Sequence, residues 1–321
     1  MRIGLAGLGV HGARYAAHLL AGDVPGVTLG AISRADAREG FLFALARGIA
    51  FVADPRELAH VPGIDAVALC LPPDLHPEVA IACLEAGRPV LVEKPLGPTA
   101  AAASKVVEAA TRTGTPVMVA HTMRFDPLVT AMKRESVSLG GIRIVAINQR
   151  FEPKDRSWLD TPGTGGILLH TGVHAFDLLR FLTGAELVEG RAIETRTVTR
   201  ETSDGFAAIF RLEPGGILAT VDNARTIDGR SGRIEIAGER GQLRGDHIHR
   251  DLVRIEGPVR RDLGPVPAAP TVAAALDAFA SALREGRPMP VTAEDGLAAV
   301  KTAEALRLTG ALPRADDPRP L

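Results

Sequence analysis

The sequence predicts an α/β protein in which an N-terminal doubly wound parallel sheet is followed by an α+β domain with a large, open, mainly antiparallel sheet. Three observations predict this fold. Up to about residue 122, short and continuously apolar runs alternate with longer helical stretches, as in a parallel sheet covered on both faces. Beyond that point, apolar and polar residues partly alternate and turn signals separate the runs. A glycine-rich turn follows the first apolar run directly.

The first strand, Ile3–Ala6, precedes an Ala-rich, Pro-free stretch that predicts a helix over Val10–Ala21. The alternation then continues to residue 121, and Gly87 marks the end of one helix. The further strands are predicted at Val27–Ser33, Ala66–Leu71, Pro89–Glu93 and Val117–His121, and the further helices at Arg34–Arg47, His76–Ala86 and Thr99–Thr113.

The second half begins with a predicted helix from Pro127 to about Val137. Two more helices, Thr271–Glu285 and Ala293–Leu308, close the predicted fold, and we expect the Pro-, Asp- and Arg-rich tail Pro313–Leu321 to be poorly ordered. The strands between these helices are predicted at Ile142–Phe151, Ala185–Val198, Gly205–Leu212, Gly216–Val221, Arg233–Ala237 and Leu252–Glu256.

Length and composition limit the possible functions. A chain of 321 residues is long for one core, and we expect a first domain over 1–122 and a second over 123–321. The net charge of -1 argues against nucleic acid or an anionic membrane as the main partner, and no apolar run reaches the roughly 18 residues of a membrane span. Because the first strand begins at Arg2, no room is left for a signal peptide, and we expect a cytoplasmic protein. Cys70 and Cys83 are expected to be small buried residues.

The glycine-rich turn has the pattern G-x-G-x-x-G, formed by Gly7, Gly9 and Gly12 with Val10 and His11 between them. In a strand-turn-helix unit, the first glycine allows the tight turn, the second lets the backbone approach a pyrophosphate, and the third lets the helix pack on the sheet. The N–H groups at the helix start then bind phosphate. The alternative is a turn with a purely structural role, but the flanking strand and helix favour a dinucleotide site.

The end of the second predicted strand bears on which dinucleotide binds. Ser33 stands where NAD-binding units place an acidic residue against the ribose hydroxyls, and Arg34 follows it. A small hydroxyl leaves space for a 2′-phosphate, and a guanidinium binds it through charge-assisted hydrogen bonds. His11 offers a further donor. The sequence therefore favours NADP(H) over NAD(H), and the alternative is that Arg34 is an ordinary surface residue.

Lys94 is the first candidate catalytic residue. It follows Glu93 directly after the strand Pro89–Glu93, at the edge where doubly wound sheets bind ligands. Only five of the 37 basic residues are lysines, and an ammonium can release a proton where a guanidinium cannot. Pro95 restricts the backbone of Lys94. The alternative is a solvated loop lysine.

A second cluster lies between residues 165 and 177. If the segment from Leu168 is helical, then His170, His174 and Asp177 lie on one helix face at i, i+4 and i+7. Imidazole titrates near neutral pH and suits proton exchange with a hydroxyl or carbonyl substrate. Two histidines at this spacing also permit a metal pair, but neither a third ligand nor a glutamate in an HExxH pattern accompanies them, so no metal is predicted. The remaining alternative is that the histidines are satisfied residues at a domain junction.

Four motifs occur in order and at matching spacing: Gly7-x-Gly9-x-x-Gly12, Leu71-Pro72-Pro73-Asp74-Leu75-His76, Ala86-Gly87-Arg88-Pro89-Val90-Leu91-Val92-Glu93-Lys94-Pro95 and Gly172-x-His174. Together they resemble the glucose–fructose oxidoreductase / inositol dehydrogenase / rhizopine-catabolism (Gfo/Idh/MocA) family, from Met1 to about Gly310. The resemblance implies a Rossmann domain, then an α/β domain whose open sheet packs against another subunit, so that a homodimer or homotetramer is expected.

The resemblance also implies hydride transfer between nicotinamide and a carbon that bears a hydroxyl or carbonyl, often on a sugar or cyclic polyol. By the same resemblance, Lys94 orients and polarises the substrate oxygen, His174 is the acid/base, and Arg124 begins the substrate domain. The residues expected to line the cofactor cleft are Leu71, Pro72, Pro73, His76, Glu93 and Lys94. Those expected to contact the substrate are Lys94, Arg124, His170, His174 and Asp177.

His170 departs from the family pattern, because many members carry an Asp there that supports the acid/base histidine. An imidazole supplies no fixed negative charge, so His174 is expected to be less basic unless Asp177 takes over. This disfavours an inositol-like substrate and favours carbonyl reduction, or an acidic substrate facing His170 and Arg124. The sequence thus predicts an NADP(H)-dependent oxidoreductase of a sugar, polyol or small carbonyl compound. The alternatives are an NAD-dependent polyol dehydrogenase, an NAD-dependent glycosidase and a non-catalytic dinucleotide sensor.

Overall fold

A computed structural model describes residues 1–153, 160–162 and 166–312. The predicted tail 313–321 lies outside the described residues. The chain divides into two compact units, of which the first comprises residues 1–122 and 270–300 and the second residues 123–269 with the chain from 301 onward. The first division falls at residue 122, where the sequence places the end of the first domain, and the domain boundaries themselves stay a prediction. Residues 270–300, which the sequence placed in the second domain, make their contacts in the first unit.

The first unit contains a six-stranded parallel sheet with the order β3-β2-β1-β4-β5-β6. The side chains of β4, β5 and β6 are buried on both faces, as their continuously apolar sequences predict. The edge strand β3 was not predicted, because it has only three residues and all of them are half-buried. The strands are β1 Arg2–Ala6, β2 Thr28–Ser33, β3 Ala50–Val52, β4 Ala66–Leu69, β5 Val90–Glu93 and β6 Val117–Ala120.

Two helices of the first unit, α2 and α4, begin at polar side-chain caps, and several end at glycines. The Asp36 carboxylate accepts a hydrogen bond from the Glu39 N–H at 2.9 Å, and the Thr99 hydroxyl accepts one from Ala102 at 3.1 Å. Gly22 and Gly114 end two helices in the left-handed conformation. The helices are α1 Gly12–Ala21, α2 Ala37–Leu45, α3 His76–Glu85, α4 Ala100–Thr113 and, later in the chain, α7 Thr271–Glu285, with a 3₁₀ segment at Pro55–His60.

The second unit contains, among the described residues, a nine-stranded sheet with the order β14-β13-β12-β11-β7-β10-β9-β8-β15. The prediction of a mainly antiparallel sheet is confirmed, and β7 and β10 form a parallel pair within it. The short strands β12, β14 and β15 were not predicted. The strands are β7 Ile142–Arg150, β8 Glu186–Thr195, β9 Gly205–Glu213, β10 Ile217–Ala224, β11 Ser231–Gly238, β12 Gly241–Asp246, β13 Asp251–Glu256, β14 Val259–Asp262 and β15 Ala311–Leu312.

The two faces of the second sheet differ in burial. On one face, α5 (Pro127–Ser136) packs against β12, and α6 (Val173–Thr183) packs against β7 and β8. The other face leaves large apolar side chains exposed by between 49% and 77%, which are those of Ile144, Ile193, Ile209 and Leu218. The last helix, α8, spans Ala293–Thr309, and short 3₁₀ segments span Thr122–Phe125 and Val137–Leu139.

None of the described helices is both long enough and apolar enough to cross a membrane. Cys70 and Cys83 are free thiols. Cys83 is fully buried, and this burial raises its pKa to about 12. Cys83 therefore packs as a small apolar residue, in agreement with the prediction.

Candidate active site

The glycine-rich turn of the first unit makes the close backbone contacts that its first and third glycines predict. Gly7 has a φ of +89°, and a Cβ at this position would collide with the carbonyl oxygen of Cys70. A Cβ on Gly12 would collide with the carbonyl oxygen of Gly7. A Cβ on Gly9 would meet no atom within 4 Å. Gly7 and Gly12 therefore allow close backbone packing within the first unit, while Gly9 borders open space, as expected for the glycine that lets a pyrophosphate approach the backbone.

Glu93 forms the centre of a buried polar cluster at the end of β5. Its Oε1 accepts a hydrogen bond from the Tyr15 hydroxyl at 2.6 Å and lies 2.7 Å from His11 Nε2. Its Oε2 accepts a hydrogen bond from the backbone N–H of Lys94 at 3.0 Å. His11 and Tyr15 also make an edge contact, with ring centroids 5.6 Å apart. This Glu93 cluster (His11, Tyr15, Glu93 and the Lys94 N–H) joins the glycine-rich turn to the backbone of Lys94.

Burial and charge act in opposite directions on the pKa of Glu93. Burial raises the pKa, but the hydrogen bonds from His11 and Tyr15 and the positive charge of Lys94 outweigh it and hold the pKa below its usual value. Burial, followed by the negative charge of Glu93, raises the pKa of the Tyr15 hydroxyl well above its usual value. The same two causes raise the pKa of the Cys70 thiol. Glu93 is therefore the ionised member of the cluster, and Tyr15 is a neutral donor.

Arg34, which is predicted to bind the 2′-phosphate of NADP(H), forms an ion pair with Glu39 in the first turn of α2. The arginine side chain is about one-third exposed (33%). Ser33 is buried, and its hydroxyl donates to the carbonyl oxygen of Ala53 at 3.3 Å. Glu39 was not considered in the sequence-based prediction, and it competes with a phosphate for the Arg34 guanidinium.

His76, which the sequence predicts to line the cofactor cleft, has an almost completely buried side chain. Its Nδ1 donates to the carbonyl oxygen of Pro95 at 2.8 Å, and burial lowers its pKa. A neutral His76 thus connects the start of α3 to the residue that follows Lys94. Leu71 and Pro73 are half-buried and Pro72 is exposed, so their contact with the cofactor stays a prediction.

The histidine cluster of the second unit is built on an irregular helix. Leu168–Gly172 forms a π-helical turn that runs directly into α6, so the i, i+4 argument for a shared face does not apply between His170 and His174. Both histidines are half-buried, while Asp177 is completely buried. Single π-helical turns within helices occur often at functional sites.

Arg124 and Asp177 form a two-point ion pair in the interior of the second unit. Arg124 Nε donates to Asp177 Oδ2 at 2.9 Å, and its Nη2 donates to Oδ1 at 2.6 Å. The side chains are 9% and 1% exposed. The guanidinium also lies 5.2 Å from the ring centroid of Phe181. Two residues that were expected to contact the substrate thus bind each other, and their direct role in binding the substrate stays a prediction.

His170 contacts a residue that the sequence did not single out. Arg225, which follows β10, places its Nη2 against His170 Nδ1. Because a guanidinium only donates hydrogen bonds, Nδ1 is the acceptor, and in the neutral imidazole the proton is then on Nε2. His170 therefore presents a hydrogen-bond donor, whereas a carboxylate at this position would present an acceptor.

Within the described ranges, no group of three or more His, Cys, Asp or Glu side chains is placed to hold a metal ion. The sequence found most of the charged residues at both candidate sites. It missed Tyr15 and Arg225, although Tyr15 lies four residues from His11, on the same face of the helix start.

Together, the parallel sheet with the strand order of a dinucleotide-binding domain and the glycine-rich turn define the class of the protein as a Rossmann-type dinucleotide-binding protein. Comparison with known sequences identifies the family. Residues 1–121 match the oxidoreductase family with an NAD-binding Rossmann fold, and residues 135–309 match its C-terminal alpha/beta domain. The chain therefore belongs to the Gfo/Idh/MocA oxidoreductase family and is an NAD(P)-dependent oxidoreductase.

Several curated and solved proteins are similar over most of their length. Inositol 2-dehydrogenase 1 of Saccharopolyspora erythraea is 31% identical, over 95% of this chain and 92% of the relative. The 1,5-anhydro-D-fructose reductase of Ensifer adhaerens is also 31% identical, over 84% and 85%. Among solved structures, a probable dehydrogenase from Thermotoga maritima superposes with a TM-score of 0.83 at 25% identity, over 97% of this chain and 98% of that one.

Proposed function

We propose that the protein is an NADP(H)-dependent oxidoreductase that transfers hydride to or from a hydroxyl- or carbonyl-bearing carbon of a sugar, polyol or related small molecule. The observation that carries the proposal is the Glu93 cluster, because it ties His11 of the phosphate-binding turn to the backbone of Lys94. The lysine is thereby held beside the part of the first unit that fits a dinucleotide. Relatives that are named as an inositol dehydrogenase and an anhydrofructose reductase support the substrate class.

Each proposed role follows from the chemistry of the side chain. A bound nicotinamide dinucleotide supplies the hydride acceptor or donor. The Lys94 ammonium stabilises negative charge that develops on the substrate oxygen. His174 gives or takes the proton of that oxygen. His170, which presents an N–H because Arg225 occupies its Nδ1, donates a hydrogen bond to the substrate.

The preference for NADP(H) rests on Ser33 and Arg34. A buried serine at the end of β2 brings no carboxylate against a 2′-phosphate, and the half-buried Arg34 adds a cation next to it. One observation favours the alternative, an NAD-dependent polyol dehydrogenase. Arg34 already pairs with Glu39, and a carboxylate this close opposes the binding of a phosphate.

A side-by-side titration of the cofactor-free protein with NADPH and NADH tests the proposal first. Tighter binding of NADPH supports the proposal that Ser33 and Arg34 favour NADP(H). Tighter binding of NADH supports the alternative, an NAD-dependent polyol dehydrogenase. If neither dinucleotide binds, the proposed NADP(H)-dependent function is wrong.

Turnover is then measured with myo-inositol and each oxidised cofactor, and with 1,5-anhydro-D-fructose and each reduced one. Lys94→Ala is expected to reduce kcat about a hundredfold or more while the dinucleotide still binds. Lys105→Ala is the matched control, because Lys105 is an exposed lysine of α4. Near-normal turnover of Lys94→Ala would contradict the assignment of Lys94.

We also propose that the chain forms a homodimer or homotetramer through the open face of the second sheet. On this face, Leu218 of β10 and Ile144 of β7 are paired across neighbouring strands, and both are about half exposed. Exposed apolar patches of this kind on a sheet are typical of subunit interfaces. Light scattering is expected to give a dimer or tetramer for the native chain and a smaller species for Ile209→Lys. A native monomer would contradict the proposal.

A further inference from the structure

Two neighbouring side-chain amides interrupt the apolar core of the second sheet. On its helix-covered face, β7 places Val145, Ile147 and then Gln149, and β10 places Val221 and then Asn223. The two amides are direct neighbours in the parallel register of these strands. Their side chains are 2% and 1% exposed. We refer to Gln149 and Asn223 as the amide pair.

Side-chain amides are scarce in this chain, which contains two asparagines and two glutamines in 321 residues. Three of these four, Asn148, Gln149 and Asn223, lie on β7 and β10. Asn148 points to the opposite side of β7 and donates to Asp222 on β10. The remaining amide, Gln242, lies on β12. The chain therefore uses amides selectively, at the adjacent ends of one parallel strand pair.

The polar atoms of the amide pair are poorly satisfied within residues 1–153, 160–162 and 166–312. Asn223 Oδ1, Asn223 Nδ2 and Gln149 Oε1 are buried and have no hydrogen-bond partner there. Gln149 Nε2 has only the Met123 sulfur, at 3.4 Å. A buried polar atom without a partner costs about 1–3 kcal/mol, whereas an apolar side chain of the same shape would avoid that cost. This cost requires an explanation.

The position of the amide pair suggests what it binds. Asn223 is two residues before Arg225, which contacts His170. Gln149 contacts Met123, which precedes Arg124, the partner of Asp177. The amide pair thus lies close along the chain to Arg225, the partner of His170, and contacts the residue that precedes Arg124. The proposed function gives His170 a role in substrate binding.

An amide offers a donor and an acceptor side by side, which matches a hydroxyl group, since a hydroxyl both donates and accepts. We propose that Gln149 and Asn223 bind hydroxyl groups of a polyhydroxylated substrate and so determine its specificity. The proposal rests on the proposed function for the identity of the reaction. Both amides are covered by protein, so a neighbouring side chain must move when the substrate binds.

The test replaces each amide by an apolar side chain of similar size, in Asn223→Leu and Gln149→Met. Because neither amide has a good partner, the melting temperature of both variants is expected to stay unchanged or rise. The KM for myo-inositol, or for the polyol or sugar that the native chain turns over fastest, is expected to rise about tenfold. Gln242→Met is the matched control, and its KM is expected to stay unchanged.

Binding of the same polyol without turnover, measured by calorimetry in the presence of the dinucleotide, separates this proposal from the proposed function. If the native chain binds a polyol and the two variants bind it about tenfold more weakly, the amide pair recognises it even where no turnover occurs. A lower melting temperature together with an unchanged KM and affinity would show a structural role and overturn the proposal. Failure of the native chain to bind any polyol or sugar would overturn it as well.

Discussion

Each unit of the molecule buries a carboxylate near its candidate site, and the two carboxylates are stabilised by different kinds of partner. In the second unit, Asp177 receives two hydrogen bonds from the guanidinium of Arg124. In the first unit, Glu93 receives hydrogen bonds from a tyrosine hydroxyl and a backbone N–H, and an imidazole lies at hydrogen-bond distance. Asp177 therefore has a permanent cation beside it, while Glu93 depends on groups that are neutral or titratable.

This difference shows which of the two buried carboxylates depends on partners whose protonation can change. An arginine does not lose its proton in proteins, so the cation beside Asp177 is present at every physiological pH. Removing one member of such a buried pair leaves an uncompensated charge. Losing one of the partners of Glu93 costs less free energy of unfolding, because none of them is a permanent charge. One of these partners, His11, is also 45% exposed. We therefore expect the second-unit carboxylate to govern stability and the first-unit carboxylate to govern the site around Lys94.

The largest expected effect is on the second unit. Asp177→Ala leaves the Arg124 guanidinium buried without its carboxylate and is expected to lower the free energy of unfolding by about 3–5 kcal/mol. Urea denaturation measures this loss. Glu85→Ala, which removes an exposed partner of Arg112, is the control and is expected to cost about 0–1 kcal/mol. Equal losses in the two variants would remove the contrast between buried and exposed pairs.

A smaller effect is expected for the first-unit carboxylate. Glu93→Gln keeps the shape of the side chain but loses its charge, and is expected to cost about 1–3 kcal/mol near neutral pH. Because the folded pKa of Glu93 lies below its ordinary value of 4.5, its contribution is present above that value and is lost as the pH falls through the folded pKa. The difference in stability between the native protein and Glu93→Gln is thus expected to shrink in acid. A difference that grows in acid would contradict the direction of the shift.

Tyr15→Phe removes one donor of the Glu93 cluster and is expected to cost about 1 kcal/mol at neutral pH. The folded pKa of Tyr15 is raised above its ordinary value of 10.0. Its contribution is therefore present below that value and is lost as the pH rises toward the folded pKa, because the unfolded chain ionises first. Unfolding curves of the two proteins are expected to converge in alkali. If the gap between them stays constant, Tyr15 does not titrate as proposed.

The smallest effect on stability is expected at the surface pair of the half-buried Arg34 and the exposed Glu39, where Arg34→Ala and Glu39→Ala each cost less than about 1 kcal/mol. The two variants are expected to shift NADPH affinity in opposite directions. Arg34→Ala weakens NADPH binding and leaves NADH little changed, while Glu39→Ala strengthens NADPH binding because it frees the guanidinium. Fluorescence titration with both dinucleotides measures this. An equal change in affinity for NADPH and NADH would mean that residues other than Arg34 bind the 2′-phosphate.

Much of the fold follows from local patterns. The buried strands β4, β5 and β6 were predicted within two residues at each end, because continuous apolar runs are a strong signal. Strands β3, β12 and β14 were not predicted, because each is short and has no regular apolar alternation. The π-helical turn at Leu168–Gly172 was not predicted either, since its sequence has no pattern that distinguishes a π-helical turn from an α-helical one.

The candidate site was predictable only in part. Lys94, Glu93 and the glycines are marked by local motifs, so the sequence alone identified them. Tyr15 meets Glu93 across 78 positions of the chain, and Arg225 meets His170 across 55. Contacts over such separations depend on the tertiary fold and leave no periodic signal in the sequence.

Tyr15 has one more consequence, since it is the single tyrosine among 321 residues. Any tyrosinate absorbance of the folded protein therefore arises beside Glu93 at the carboxyl end of β5, with no background from other phenols. Native ultraviolet spectra recorded during an alkaline titration or on addition of a dinucleotide thus report on one hydrogen bond, that between Tyr15 and Glu93. The protein carries its own optical reporter of the contact between the glycine-rich turn and β5, and no label has to be introduced.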